Sequence, residues 1–331
     1  MKIYITIICC IAIVSTSCRF GTSGTWTNDR IDPTVKETVD NLNKKLFNSV
    51  RTNDIAGVKQ LMSPPLLDKL GKRIDTLINS VGSSFNSPEF ETVDDFYIKN
   101  STTNINDHLI SIKDTNNYTI DFTALNKEMF VSLLTTKNLP LNYVILAIYG
   151  KYGNEWKLNI IHFGTYSMFN KIAPDYYNEA QKQYDAGNLV DAVDMIAVAS
   201  QLAKPLDEYL KYNANDKIQD FNSKVMKEAM AKYPLPLTIN GVKTKPHIFH
   251  ISPQFVGNGP ITGILPLISY KSEIKLTDTV ALKAENEAIQ KEIVKTFKGI
   301  DQNKKAIIYQ AYNQIPDGKT LVKRYGFIQK L

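Results

Sequence analysis

Apolar residues recur at three- and four-residue steps after Pro33, at Val35, Val39, Leu42, Leu46 and Val50, the spacing of one helix face. This predicts helix over 33–62, with Asp32 as N-cap and Pro33 at the first helical position. Pro64-Pro65 interrupts it, and Leu66, Leu70, Ile74, Leu77 and Val81 predict a second amphipathic helix over 66–81. Beyond the Ser- and Gly-rich loop at 82–88 the period falls to two. Strands are predicted at 90–99, 109–113, 118–124, 129–136, 143–151 and 156–166, with turn signals at Asn116-Asn117 and Gly153-Asn154. Helices followed by an antiparallel meander make an α+β order.

The pattern turns helical again at 173–233. Pro174 opens a hairpin with Tyr177, Ala180, Tyr184, Gly187-Asn188, Leu189, Ala192, Ile196 and Ala199, closed by Pro205. A third helix over 206–233 carries Leu210, Ile218, Phe221, Val225, Met226 and Met230. Pro234 and Pro236 mark the next boundary. Strands follow at 237–243, 247–256 and 264–276, then a helix over 279–298, capped by Asp278, ended by Gly299 and buried through Leu282, Ile289, Ile293 and Phe297. Two last strands, 305–314 and 320–329, are joined by the turn Ile315-Pro316-Asp317-Gly318. The expectation is one helix on an antiparallel sheet of about five strands.

The first residues read differently. Lys2 precedes an apolar run over 3–14, interrupted only by Tyr4 and Thr6. As a helix it spans about 18 Å, short of the roughly 30 Å hydrocarbon core and suited to a signal-peptide apolar region. Ser15-Thr16-Ser17-Cys18 follows, and this resembles a bacterial lipoprotein signal, with Ser15 where Leu is usual. The resemblance implies removal of 1–17, acylation of Cys18 with palmitate-type chains, and a bilayer as partner. A plain secretory signal and an uncleaved anchor are the alternatives. The segment 18–32, RFGTSGTWTNDRID after the cysteine, is small and polar and predicts a flexible tether. Arg19 is not the acidic residue associated with inner-membrane retention, so the resemblance implies an outer-membrane lipoprotein facing the periplasm.

Three folded regions follow: 33–172, 173–233 and 234–331. The first, with its opening helix, the stretch FNSVRTNDIAGVKQLM and late hairpins, resembles the cone-like fold of nuclear transport factor 2-like domains. Members of that family include enzymes, ligand binders and structural modules, so the fold does not select a function. The second, through Ala180, Gly187, Leu189, Ala192 and Ala199, is similar to a single tetratricopeptide hairpin. One such unit must pack on a neighbour and serves as a spacer.

Composition narrows the classes. Of 331 residues, 39 are Lys or Arg and 33 are Asp or Glu, a net charge of +6, and no basic block occurs. Only Arg19, Arg30, Arg51, Arg73 and Arg324 are guanidinium cations, which argues against nucleic acid as a partner. The three cysteines, Cys9, Cys10 and Cys18, precede the folded regions, leaving those without disulfide or thiolate sites.

Candidate chemistry is sparse. If the cone holds a pocket, Trp156, Leu158, Ile160, His162, Gly164 and Tyr166 share one face of its last strand, and Tyr143, Ile145, Ala147 and Tyr149 one face of its neighbour. Tyr143, Tyr149 and Trp156 are the candidate ligand contacts. His162 with Asp121 or Tyr166 is the candidate acid/base set, as in some enzymes of that fold; the commoner role of such a histidine is a half-buried strand residue. His247 and His250 lie three apart on a strand and so face opposite ways, with no acidic third ligand nearby; no metal and no cofactor is expected. Gly257-Asn258-Gly259-Pro260 is a turn rather than a phosphate loop. The expectation is a non-catalytic envelope binding or scaffolding module whose partner is a protein or small ligand. The alternative is a hydrolase or isomerase working in the first region.

Overall fold

The computed structural model describes residues 23–111 and 117–331. Cys18, the leader and Asn116 lie outside the described residues. The described chain is α+β, with eight α-helices and thirteen strands. None of those helices is long and apolar enough to cross a membrane.

The opening helix starts as its sequence dictates. Asp32 Oδ1 accepts from the backbone of Thr34 and Val35 at 2.9 and 3.2 Å, and helix α1 runs Pro33–Arg51. It stops at Asn53, held at φ 55°, so the span expected as one helix is α1 and α2, Ile55–Leu61. The next expected helix is likewise two, α3 (Pro64–Leu70) and α4 (Arg73–Gly82). Gly71 parts them at φ 51°, a conformation costly to any residue with a Cβ. Residues 24–30, expected within the tether, are ordered. Strand β1 (Gly24–Thr27) pairs with β2 (Phe90–Lys99), and Trp26 lies 5.6 Å from the Tyr97 ring.

The central sheet has the order β1-β2-β5-β6-β7, with β5 at Glu128–Thr136, β6 at Leu141–Tyr152 and β7 at Glu155–Met168. Helices α1–α4 cover one face through Val39, Leu46, Phe47, Val58 and Ile74. The other face is covered by α5 (Ala173–Asp185), α6 (Leu189–Leu202), α7 (Asn215–Lys232) and a small sheet of β3 (Ile105–Ile110), β4 (Tyr118–Ala124) and β8 (Leu210–Tyr212). Two-sided cover explains why β5 is buried along almost its whole length instead of alternately. Strand β8 lies where the third helix was expected to begin. Leu210 and Tyr212 are buried and pair with Ile120 and Tyr118, and α7 starts only at Asn215.

Two irregularities set which way side chains point. On β7, Tyr149 pairs with Leu158 but Ile148 pairs with Ile160, so Asn159 is an extra residue and the alternation inverts. Trp156 and Leu158 therefore face α1–α4 while Ile160 and Tyr166 face α5–α7, and the single face expected from 156 to 166 is split. On β2 the register shifts between Thr92 and Asp94, and the adjacent Asp94 and Asp95 enter different polar clusters. Asp95 receives Lys36 Nζ at 2.6 Å and Ser132 Oγ at 2.7 Å; Asn43 donates to Ser132, and Tyr149 donates to Asn43, each at 2.9 Å. Asp94 accepts from Tyr118 and, at 2.9 Å, from Asn28 Nδ2, while Asn28 Oδ1 receives the Asp95 backbone N–H. Burial raises the Asp95 pKa, with Lys36 and Ser132 opposing.

The last region has the order β13-β12-β11-β10-β9, from β9 (Leu237–Thr238), β10 (His247–Val256), β11 (Gly263–Lys271), β12 (Ala306–Tyr312) and β13 (Arg324–Lys330). Its sheet differs from the antiparallel expectation in one pair. Helix α8 (Thr279–Thr296) crosses from β11 to β12, and those strands run parallel. Asp278 caps α8 on the Ala281 N–H at 3.0 Å, and Leu282, Ile289, Ile293 and Phe297 pack on the sheet. After α8, Gly299 turns at φ 86° against Asn188, and Lys298 Nζ donates to the Ala186 carbonyl at 2.9 Å. The C-terminal region is thereby seated on the turn between α5 and α6.

Candidate functional site

The expected ligand contacts are core. Tyr149 is fully buried, its hydroxyl spent on Asn43; Trp156 is 8% exposed and packs edge-on against Tyr97 and Phe130; Tyr143 lies against Phe85. Helices α1–α4 fill the concavity these residues were expected to line. The expected acid/base set is given separate partners. His162 is half-buried, its ring tilted against Tyr209 at 5.1 Å, with Nε2 3.8 Å from Asp207. Asp121 pairs with His108, and burial near Asp94 lifts the Tyr166 phenol to about 12. His247 bonds Thr238 at 2.9 Å, and His250 is exposed; among the described residues no three His, Cys, Asp or Glu side chains are grouped to hold a metal.

The site that does form was not anticipated. Helix α6 is largely apolar and ten of its fourteen residues are buried, leaving only the narrow stripe of Val193, Ala197, Ser200 and Gln201 partly exposed. Asp191 and Asp194, three residues apart and so on one side, are carried into the interior with it, each 1% exposed. Lys304, before β12, brings its ammonium 3.4 Å from Asp191 Oδ1, an ion pair rather than a short hydrogen bond. Asp194 receives nothing: both its carboxylate oxygens are buried without a hydrogen-bond partner. Burial raises its pKa to about 8, with Lys304 drawing it down and Asp191 pushing it up. At neutral pH most of it is the neutral acid.

Asp194 is one of the residues lining a cavity. Val190, Val193 and Asp194 of α6, Met226, Ala229 and Met230 of α7, Tyr233 to Leu235, His250 and Ile251 of β10, and Phe297 enclose about 470 Å³. That is within the roughly 300–1,000 Å³ of small-molecule pockets, which are apolar with a few polar groups. Its rim is exposed apolar surface: Met226 is 36%, Met230 68% and Leu235 42% exposed. Methionines at the i and i+4 positions of one helix present a soft, adaptable edge.

A second groove of about 670 Å³ runs over β3, β4 and α3, where Lys69, Asp107, His108 and Asp121 stand among apolar residues such as Leu66, Phe122 and Ile160, with Tyr209. His108 and Asp121 are directly opposed on β3 and β4, and Nδ1 and Oδ1 are 2.5 Å apart. Tyr209 lines this groove together with His108 and Asp121, and its ring also contacts His162, whose Nε2 is 3.8 Å from Asp207.

The sequence signal for the apolar pocket was a pair of acids three apart inside LVDAVDMIAVASQL. The signal for the groove was the register of β3 on β4. Compared with protein-family models, with curated proteins and with solved structures, the chain has no match.

Proposed function

We propose that the chain is a non-catalytic binding module of a bacterial envelope, tethered to the outer membrane through an acylated Cys18 and taking a small apolar ligand between α6, α7 and β10. One observation carries the binding reading: an apolar cavity whose only buried ionisable wall group, Asp194, has no partner within the protein. A protein gains nothing in stability from such a group, since desolvating a carboxyl without a hydrogen bond costs about 1–3 kcal/mol or more. It becomes satisfied when a ligand brings a donor.

The tether rests on the apolar run before Ser15-Thr16-Ser17-Cys18. Several acyl chains at about 0.8 kcal/mol per buried CH₂ hold a protein on a bilayer stably. Palmitate labelling of the wild type, abolished in Cys18→Ser, checks it; equal labelling of both overturns the address.

The pocket is checked with Nile red, whose emission brightens in apolar surroundings. The wild type takes it up saturably, and Ala229→Phe, which places a ring in the cavity at a partly exposed wall position, removes that uptake. Unchanged uptake sinks the reading. The second reading, an enzyme in the groove over β3, β4 and α3, is favoured by the His108–Asp121 pair, in which the carboxylate orients the imidazole as general base. It requires a turnover that His108→Ala removes and Ala229→Phe leaves intact.

A further inference from the structure

We infer that the ligand of the α6–α7–β10 cavity is a small amphiphile carrying a protonated amine, whose ammonium pairs with the Asp194 carboxylate while its apolar body lies along Met226, Ala229 and Met230. This rests on the binding reading above and adds the chemistry of the head group.

The argument begins with charge. Asp191 and Lys304 form one buried ion pair, so the cluster of Asp191, Lys304 and Asp194 is one cation short when Asp194 is ionised. The missing positive charge has no source on the other walls. His250 of β10 is an exposed rim residue, Tyr233 is a phenol, and the remaining cavity residues are apolar. An ammonium arriving from outside supplies both what the charge lacks and what the geometry lacks, because it is donor-only and Asp194 offers two acceptor oxygens with nothing on them. The aromatic wall agrees with this. Tyr233 and Phe297, edge to face at 4.8 Å, line the same cavity, and ring faces attract a desolvated cation.

An alcohol would satisfy one oxygen and leave the charge as it was. A carboxylate would meet Asp194 only as its neutral acid, so its binding would weaken as pH rises. An amine behaves oppositely. Binding ionises Asp194, releases a proton, and tightens as pH rises towards 8. The Asp191–Lys304 pair is present in free and bound forms alike.

The test compares three ligands of one chain length, octylamine, 1-octanol and octanoate, titrated calorimetrically into the full chain in lipid nanodiscs with empty nanodiscs subtracted. Octylamine is expected to bind at least tenfold more tightly than 1-octanol at pH 7. It releases close to one proton, read from two buffers of different ionisation enthalpy, and gains about fifty-fold in affinity from pH 6 to pH 8. In Asp194→Asn the preference over 1-octanol and the proton release both vanish while 1-octanol still binds; His250→Gln keeps the preference. Ala229→Phe removes binding of all three. If 1-octanol or octanoate matches octylamine, or Asp194→Asn keeps the preference, the head-group assignment is wrong and the binding module stands. If none of the three binds, or Ala229→Phe binds them unchanged, the pocket reading itself falls.

Discussion

Asp194→Asn makes the folded chain more stable at pH 7, by about 2–4 kcal/mol, and the gain disappears at about pH 4. The sign follows from the direction of the shift. In the unfolded chain Asp194 titrates near the ordinary aspartate value of about 3.9, whereas in the fold burial holds it at about 8. Below both values the acid is neutral in either state and costs nothing by ionisation. Between them the unfolded state loses its proton and the folded state keeps it, so stability falls by about 1.4 kcal/mol per pH unit and levels off only above the folded value. Three units of that slope accumulate by pH 7, about 4 kcal/mol. Asparagine is uncharged throughout and escapes this loss, though its buried amide retains part of a desolvation cost. Asp95 and Asp191 are raised by burial too, so the wild-type curve sums several groups and only its difference from the variant isolates Asp194. Urea midpoints of both proteins from pH 4 to pH 8, at unchanged slope, check this. A variant that is less stable at pH 7, or equally displaced at every pH, would mean that Asp194 has a partner in the fold. The gain in stability and the loss of amine recognition come from one substitution, the trade expected where a strained polar group is kept for binding.

How much of this was readable in advance depends on whether the deciding neighbour was local. Strand β4 at Tyr118–Ala124 and strand β10 at His247–Val256 match their sequence expectation residue for residue, because a period of two bounded by turn residues is a local signal. The cap of α1 by Asp32 and of α8 by Asp278 are local as well. The helix breaks at Asn53 and Gly71 were missed because apolar spacing continued through them and only backbone angles mark the stop. Strand β8 was hidden because Leu210 and Tyr212 fit a helical pattern equally well; β4 decides it, and β4 is about ninety residues away along the chain. The displacement of Tyr149 and Trp156 from pocket to core has a similar origin. The alternation held for Tyr143 to Tyr149 and for Trp156 and Leu158, but the α1–α4 layer that covers them was not placed, and the extra residue at Asn159 broke the expected single face and turned His162 and Tyr166 away from Trp156. Asp191 and Asp194 carried a visible signal, two acids in an apolar helix. Its meaning needed Lys304, more than a hundred positions later, to show which acid is paired and which is left.

Gly164→Ala costs about 3 kcal/mol or more, although Gly164 lies in the regular strand β7 and alanine fits strand geometry better than glycine. The reason is the close approach of a second segment. A Cβ built on Gly164 would stand 1.6 Å from the carbonyl oxygen and 2.8 Å from the carbonyl carbon of Pro205. These are backbone atoms, so no rotamer change relieves the overlap; the chain at Pro205 must move away from the sheet. That segment is not free to do so. Leu202, Ala203 and Leu206 are fully buried, and the chain continues into Tyr209, in ring contact with His162, and into β8, paired with β4. Displacing it opens the seam between the central sheet and α6, and with it the wall from which Asp194 is held. Overpacking of this kind usually costs about 1–3 kcal/mol where side chains can adjust and more where they cannot. Gly326→Ala on β13 is the control, since its Cβ would meet nothing nearer than the Tyr309 carbonyl oxygen at 4.0 Å, and it should leave the urea midpoint within about 0.5 kcal/mol of wild type. A Gly164→Ala protein as stable as the control would show that Pro205 does not rest on β7, and the placement of α6 behind the pocket would have to be redrawn. A destabilised one that also loses Nile red uptake, while Gly326→Ala keeps it, ties the cavity to this single close contact.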